Sequence, residues 1–275
     1  MDNLKIIDSH IHYRPDYQPF SKVAENSGSK NTALDVQKML KENNIVHAVV
    51  MGNLSLELEN HIYPPNMSYC VGLDSSVFKN PDKPQDYYIS LVEEHLKRES
   101  CVGIKLYPGY CPTYVTDEVY YPFYELAEKY NKPVAIHTGA LSQSRALLKY
   151  SHPLTLDEAA VRFRNVKFVM CHFGNPFLAE AASVAQKNRN VFVDISGILE
   201  GDFNVNDFFA EFGLYADMLK TWLKYFGDFD RLMYGSDWPI VNMSKYIQFV
   251  KGIIPEKHWE KVFYLNAVNI YNIKA

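Results

Sequence analysis

Eight short apolar runs leave this chain few folds to choose from. They occupy residues 5–10, 47–51, 68–73, 101–106, 133–137, 167–172, 190–195 and 231–235, and each gives way to a polar or Gly/Pro-rich turn. Nearly unbroken apolar runs of this length suit strands covered on both faces, as in a parallel sheet. Between them lie stretches of helical period. Residues 32–44 place Ala33, Val36, Met39 and Leu40 on one side, and residues 85–100 repeat Tyr88, Leu91, Val92 and Leu96. Residues 120–131 carry Phe123, Leu126, Ala127 and Tyr130 before Asn131-Lys132-Pro133 stops them, and 178–187 is Ala-rich. Strand and helix candidates alternating about every 32 residues predict an α/β fold, an eightfold (β/α)8 barrel.

Composition agrees. The 275 residues are 47% hydrophobic and 22% charged, which excludes disorder, collagen and coiled coil as descriptions of the whole chain. No linker, repeat or charge block divides it, so residues 1–275 are read as one TIM-barrel domain. Twenty-eight Lys and Arg against 32 Asp and Glu give a net charge of −4, and no basic field exists to hold nucleic acid. The four cysteines form no C-x-x-C pair and read as reduced intracellular thiols. The N-terminus lacks a signal-peptide pattern. No apolar stretch reaches the ~18 residues of a membrane span. The expectation is a soluble cytoplasmic protein with a small-molecule substrate, no membrane partner and, as the commonest assembly, a homodimer. Residues 13–30 and 198–213 are long for connections and are expected as βα loops on the catalytic face.

In such a barrel the active site forms at the C-terminal ends of the strands. The first strand ends in Asp8-Ser9-His10-Ile11-His12, the fifth in His137, the sixth in His172 and the eighth in Asp237. Residues two apart on a strand share a face about 6.6 Å apart, so His10 and His12 can converge while Ile11 enters the wall. Burying several polar groups together is costly without partners. Neutral imidazole and carboxylate suit zinc or a similar divalent ion such as manganese.

The set Asp8-Ser9-His10-Ile11-His12, His137, His172 and Gly235-Ser236-Asp237-Trp238-Pro239 resembles the amidohydrolase superfamily. Within it, the pattern is similar to the amidohydrolase-related branch of lactonases and nonoxidative decarboxylases. The resemblance runs from Ile6 to Asp237. It implies that His10, His12 and His137 bind the ion, with Asp237 as a further ligand that handles the proton of the activated water. It also implies that His172 is a second-metal ligand or an acid/base. Lys105, in Gly103-Ile104-Lys105-Leu106, occupies the strand that carries a carboxylated, metal-bridging lysine in binuclear relatives. One ion is the default for this branch, and two follow if Lys105 is carboxylated. Otherwise Lys105 stays an ammonium beside a substrate carboxylate or Asp237.

The remaining candidates are weaker. Asp8 reads as a carboxylate orienting a ligand histidine. Asp237 also suits a helix N-cap. Strand alternation turns Cys171 away from His172, as a wall thiol. Asp194 ends strand seven without an assigned role, and Ser196 lies within reach by alternation. Arg14 and Arg145 are candidates for a substrate carboxylate. The aromatic loop 107–114 either walls the pocket or packs on its neighbour. His47, His61, His95, His152 and His258 belong to no spaced set. The first expectation is a metal-dependent hydrolase of a lactone, ester or amide in a small carboxylic-acid-type substrate. The alternative is a metal-dependent nonoxidative decarboxylase, and the third is a catalytically silent metal-binding barrel.

Overall fold

The computed structural model describes residues 4–52, 55–73 and 84–274. Residues 1–3, part of the N-terminus read above for a signal-peptide pattern, lie outside the described residues. Eight strands follow in chain order: β1 Ile6–Ile11, β2 Ile45–Met51, β3 Met67–Leu73, β4 Cys101–Leu106, β5 Val134–Ile136, β6 Phe168–Met170, β7 Val191–Asp194 and β8 Leu232–Met233. They form one sheet in sequential order, and each neighbouring pair is parallel. Beyond β8 the backbone returns to β1. Ser9 N–H donates to Tyr234 O (3.0 Å), Asp237 N–H to His10 O (2.8 Å) and His12 N–H to Trp238 O (2.7 Å). The fold is therefore the expected (β/α)8 TIM barrel, and its seam is stitched by the segments that carry His10, His12 and Asp237.

Alternation along the strands builds two apolar layers. Ile7, Val49, Met51, Cys70, Val169 and Met233 pack inside the barrel with Ile270 and Tyr271 of the last helix, Asn266–Tyr271. The opposite faces of the strands pack under the surrounding helices. Local chemistry starts and stops those helices. Thr32 caps Ala33–Glu42 by accepting from Asp35 N–H, and Val36 and Leu40 face inward. Tyr121–Lys129 buries Phe123, Tyr124, Leu126 and Ala127. Gly227, at φ +72°, ends Gly213–Phe226.

The long connections follow β1 and β7 as expected and hold helices, Gln18–Asn26 in the first and Val205–Glu211 in the second. Two expectations need correction. Strands β5, β6 and β8 are shorter than their apolar runs, so His137, His172 and Asp237 lie past the strand ends. Asp237 caps no helix; Asn242 caps Met243–Ile253 by accepting from Lys245 N–H. Among the described residues, no helix is long and apolar enough to cross a membrane.

Candidate active site

The barrel mouth brings His10, His12, His137, His172 and Asp237 into one cluster. His10 Nε2 lies 3.4 Å and His12 Nε2 3.3 Å from Asp237 Oδ1. His172 Nδ1 lies 3.8 Å from Asp237 Oδ2, and His172 Nε2 lies 3.1 Å from His137 Nδ1. One donor each from His10, His172 and Asp237 falls within 4.8 Å of the other two. His12 joins this group through Asp237, and His137 joins it through His172.

Backbone conformation aims two of these side chains. His172 and Asp237 both have φ +64°, a region that non-glycine residues rarely adopt. That turn takes them out of strand period and into the mouth. Gly197, at φ +58°, lies against both. A Cβ there would sit 2.8 Å from Asp237 Oδ2 and 3.1 Å from His172 Nδ1.

The outer nitrogen of each histidine is engaged by an acceptor. His10 Nδ1 donates to Asp194 Oδ2 (2.9 Å), His12 Nδ1 to Met51 O (3.2 Å) and His137 Nε2 to Ala140 O (2.9 Å). His172 Nδ1 meets Ser196 O (3.2 Å) and Ser196 Oγ (2.9 Å), and that hydroxyl gives its own proton to Asp194 Oδ1. Carbonyls and carboxylates only accept, so these nitrogens carry the protons. Burial pushes His10 down to about 4 and lowers His137 and His172, which keeps these rings neutral. Each inner nitrogen then presents a lone pair. His137 and His172 direct lone pairs at one another. His10 Nε2 and Asp237 Oδ1 are buried with no hydrogen-bond partner. Converging lone pairs and a carboxylate oxygen repel unless a cation lies among them. The donor set therefore fits a divalent metal.

The carboxylates differ by environment. Burial raises the Asp237 carboxyl; His10, His12 and His172 pull it below the usual range only where they carry a proton, and with those rings neutral a cation among them would do so. Asp194 is held low in the same way by His10, His172 and Ser196 against its burial. Asp8 is pushed up to about 7 by burial, with hydrogen bonds from Ser236 and His10 opposing.

Asp8 does not orient a histidine ring. Its Oδ1 accepts from the backbone N–H groups of His10 (3.2 Å) and Ser236 (2.9 Å). The orienting carboxylate is Asp194, which also accepts from the backbone N–H groups of His172 (3.0 Å) and Ser196 (3.1 Å). Its one signal in the sequence was a carboxylate closing the apolar run 191–193. Ser196 does reach the site. Cys171 faces the barrel interior, keeping the alternation of Val169 two residues earlier; the expectation put it on the wall by counting back from His172, and it is the turn at His172 that departs from that alternation. Its Sγ accepts from Lys105 Nζ at 3.0 Å. Lys105 is fully buried, 5.2 Å from the Tyr107 ring, and makes no ion pair among the described residues.

A cavity of about 160 Å³ opens over the cluster, lined in part by Tyr110, His137, His172, Gly197, Glu200 and Asp237. Tyr110 stands edge-on to His137 at 5.0 Å, so the aromatic loop contributes a wall. Neither arginine lines the cavity. Arg14 sits 3.8 Å over the Tyr17 ring, and Arg145 is exposed.

A parallel (β/α)8 barrel with imidazoles and a carboxylate at its C-terminal mouth has the architecture of a class of enzymes. Within that class the chain belongs to the family Amidohydro_2, described as Amidohydrolase, whose sequence profile matches residues 75–273. The match contains His137, His172 and Asp237 and begins after β1. No curated protein matches the chain. Solved structures resemble it along nearly its whole length. An uncharacterized TIM-barrel protein from Bordetella bronchiseptica has a TM-score of 0.71 at 18% identity, covering 97% of this chain and 98% of its own. A 5-carboxyvanillate decarboxylase from Novosphingobium aromaticivorans, in complex with manganese and 4-hydroxy-3-methoxy-5-nitrobenzoic acid, has a TM-score of 0.67 at 11% identity, covering 98% and 97%. A probable 2-pyrone-4,6-dicarboxylic acid hydrolase from Acinetobacter baumannii, with citric acid bound, has a TM-score of 0.63 at 16% identity, covering 98% and 100%.

Proposed function

We propose that this chain is a metal-dependent hydrolase that cleaves a lactone, ester or amide bond in a small molecule. One observation carries the proposal: His10 Nε2 and Asp237 Oδ1, buried and unpartnered, meet in a nest of inward lone pairs beside an open cavity. His10, His12, His137 and Asp237 would hold one divalent ion, zinc or manganese, and a carboxylated Lys105 would allow a second. When bound, such an ion polarises a carbonyl and makes water nucleophilic at neutral pH.

The residues supply the rest. Asp237, ionised at neutral pH, takes a proton from the attacking water at Oδ1. His172 Nε2, its ring locked by Ser196 and Asp194, accepts or returns a proton on the other side. Asp194 keeps His10 in the tautomer that points its lone pair inward. Tyr110, Leu141 and Ile240 flank the cavity and exclude bulk water around a small substrate.

The second reading is a metal-dependent nonoxidative decarboxylase, favoured by the resemblance to the manganese-bound decarboxylase barrel. The same residues would orient a carboxylate, and an acid would protonate the carbon that loses CO2. A panel of lactones, esters and carboxylated aromatics, run in 18O-labelled water, separates the two. 18O in a carboxylic acid product supports hydrolysis. Release of CO2 with no 18O in the organic product overturns it.

A further inference from the structure

We infer that Tyr246 is a positioning residue for the reaction: its hydroxyl clamps the turn 195–198, and through Ser196 that turn fixes which nitrogen His172 presents to the cluster. This rests on the reading that His172 moves a proton. Tyr246 lies on the helix Met243–Ile253, fully buried and outside the cavity lining. Its hydroxyl donates to Ile195 O and accepts from Ile198 N–H at 3.1 Å. One group thus closes both ends of the turn. Burial pushes this hydroxyl well above its ordinary range, so it keeps the proton that the arrangement needs.

The turn is otherwise lightly held. Ile195 N–H donates to Met233 O (3.0 Å), but Gly197 N–H reaches Ser236 O only at 3.4 Å. Ser196 N–H turns back to Asp194 Oδ1 at 3.1 Å. Without the Tyr246 hydroxyl, Ile195 O and Ile198 N–H each lose this partner inside a buried segment. The helix is fixed against the same loop at a second point, since Asn242, its cap, donates its N–H to Gly201 O (3.0 Å).

What the turn carries is the contact with His172. Ser196 Oγ (2.9 Å) and Ser196 O (3.2 Å) both meet His172 Nδ1, and a Cβ on Gly197 would stand 3.1 Å from that atom. The carbonyl only accepts, so it keeps the proton on Nδ1 and leaves the lone pair on Nε2. A divalent ion held by His10, His12, His137 and Asp237 makes this choice matter more. A loosened ring can turn and offer either nitrogen to the ion, and a ring captured as a ligand no longer carries a proton.

Y246F removes the hydroxyl and keeps the ring. Nitrogen-15 spectra of the full chain, metal-free and zinc-loaded, read the tautomer of His172, assigned by the resonances missing from H172Q. Wild type should carry the proton on Nδ1, and Y246F and S196A should both move the His172 resonances toward a mixture of tautomers. A His172 signature in Y246F identical to wild type overturns the proposal. Turnover of p-nitrophenyl acetate by the zinc-loaded chain gives a second readout. Y246F should lower kcat about tenfold with KM held within about twofold. The double variant Y246F/S196A should fall no further than S196A alone, because the two side chains act on one path. Losses that multiply overturn the proposal. If the ester is not turned over, the hydrolase reading fails separately, and the tautomer of His172 still decides the role of Tyr246. If Y246F does not fold, 3-fluorotyrosine at position 246 takes its place, since it keeps the hydroxyl and weakens it as an acceptor. Shifted His172 resonances then support the clamp, and unshifted ones overturn it.

Discussion

Asp237 accepts no hydrogen bond at Oδ1 although both His10 and His12 point their inner nitrogens at it. The proposed function has that carboxylate bind a cation and take a proton, and these roles respond differently to substitution. Asp237→Asn keeps the shape and removes the charge. We expect turnover to fall at least about a hundredfold, the scale of a positioned acid/base, with the unfolding midpoint within a few degrees of wild type. Rates near wild type would remove Asp237 from proton transfer. Asp194 acts one step further out, on His10 Nδ1 and the backbone of His172. Asp194→Asn should weaken metal binding about 10- to 100-fold, read by titrating the apo protein with zinc or manganese. Unchanged affinity would mean that the tautomer of His10 is set by something else. His10, His12, His137 and Asp237 were all legible in the sequence, because each breaks or closes an apolar run. The role of Asp194 was not, since a carboxylate at a strand end says nothing about which imidazole it will face.

The loops after β5 and β6 approach more closely than side chains would allow. Gly139, at φ +88°, would place a Cβ 2.0 Å from Asn175 O, and Ala140 N–H bonds that same oxygen at 2.8 Å. Gly139→Ala should cost about 3 kcal/mol from strain and overpacking together, measured by denaturant unfolding. A cost within ~0.5 kcal/mol, typical of unconstrained surface positions, would show that the two loops separate freely. Another element carries a pH dependence remote from the site. His95, on helix Gln85–Lys97, is fully buried, with Nε2 donating to Leu56 O and Nδ1 accepting from Tyr69 OH, both at 2.8 Å. Burial pushes it down to about 4 from an ordinary 6.5. Between those values the unfolded chain holds a proton that the folded chain excludes, so stability falls as pH drops through this window. His95→Gln should flatten part of that fall in a Tm-against-pH series; an identical slope would assign the loss to other groups. These elements were also where periodicity read best: Ala33–Glu42 and Leu178–Lys187 lie where the apolar spacing put them.

For the molecule as a whole, the inward lone pairs leave the metal-free barrel under electrostatic strain at its mouth. A free ion at a hundred times its Kd stabilises the folded state by about 2.7 kcal/mol. A domain of this size gains roughly 2–4 °C per kcal/mol. Zinc or manganese should therefore raise Tm by about 5 °C or more, and a chelator should reverse the rise. A midpoint indifferent to both would refute the metal centre and leave the barrel standing.

The alternation of apolar runs with helical stretches was enough to specify eight parallel strands, because covered strands and amphipathic helices have distinct periods. The order of polar strand ends was enough to nominate the histidines. Where those side chains point was settled by the folded backbone. At His172 and Asp237 a positive φ abandons the strand period, so Cys171 keeps the inward face it shares with Val169 while the side chains of His172 and Asp237 also swing into the mouth. The lining of the pocket likewise depends on contacts made far along the chain. Gly201, next to the cavity-lining Glu200, is bonded through its backbone to the segment after β8, and no local pattern of residues encodes that pairing.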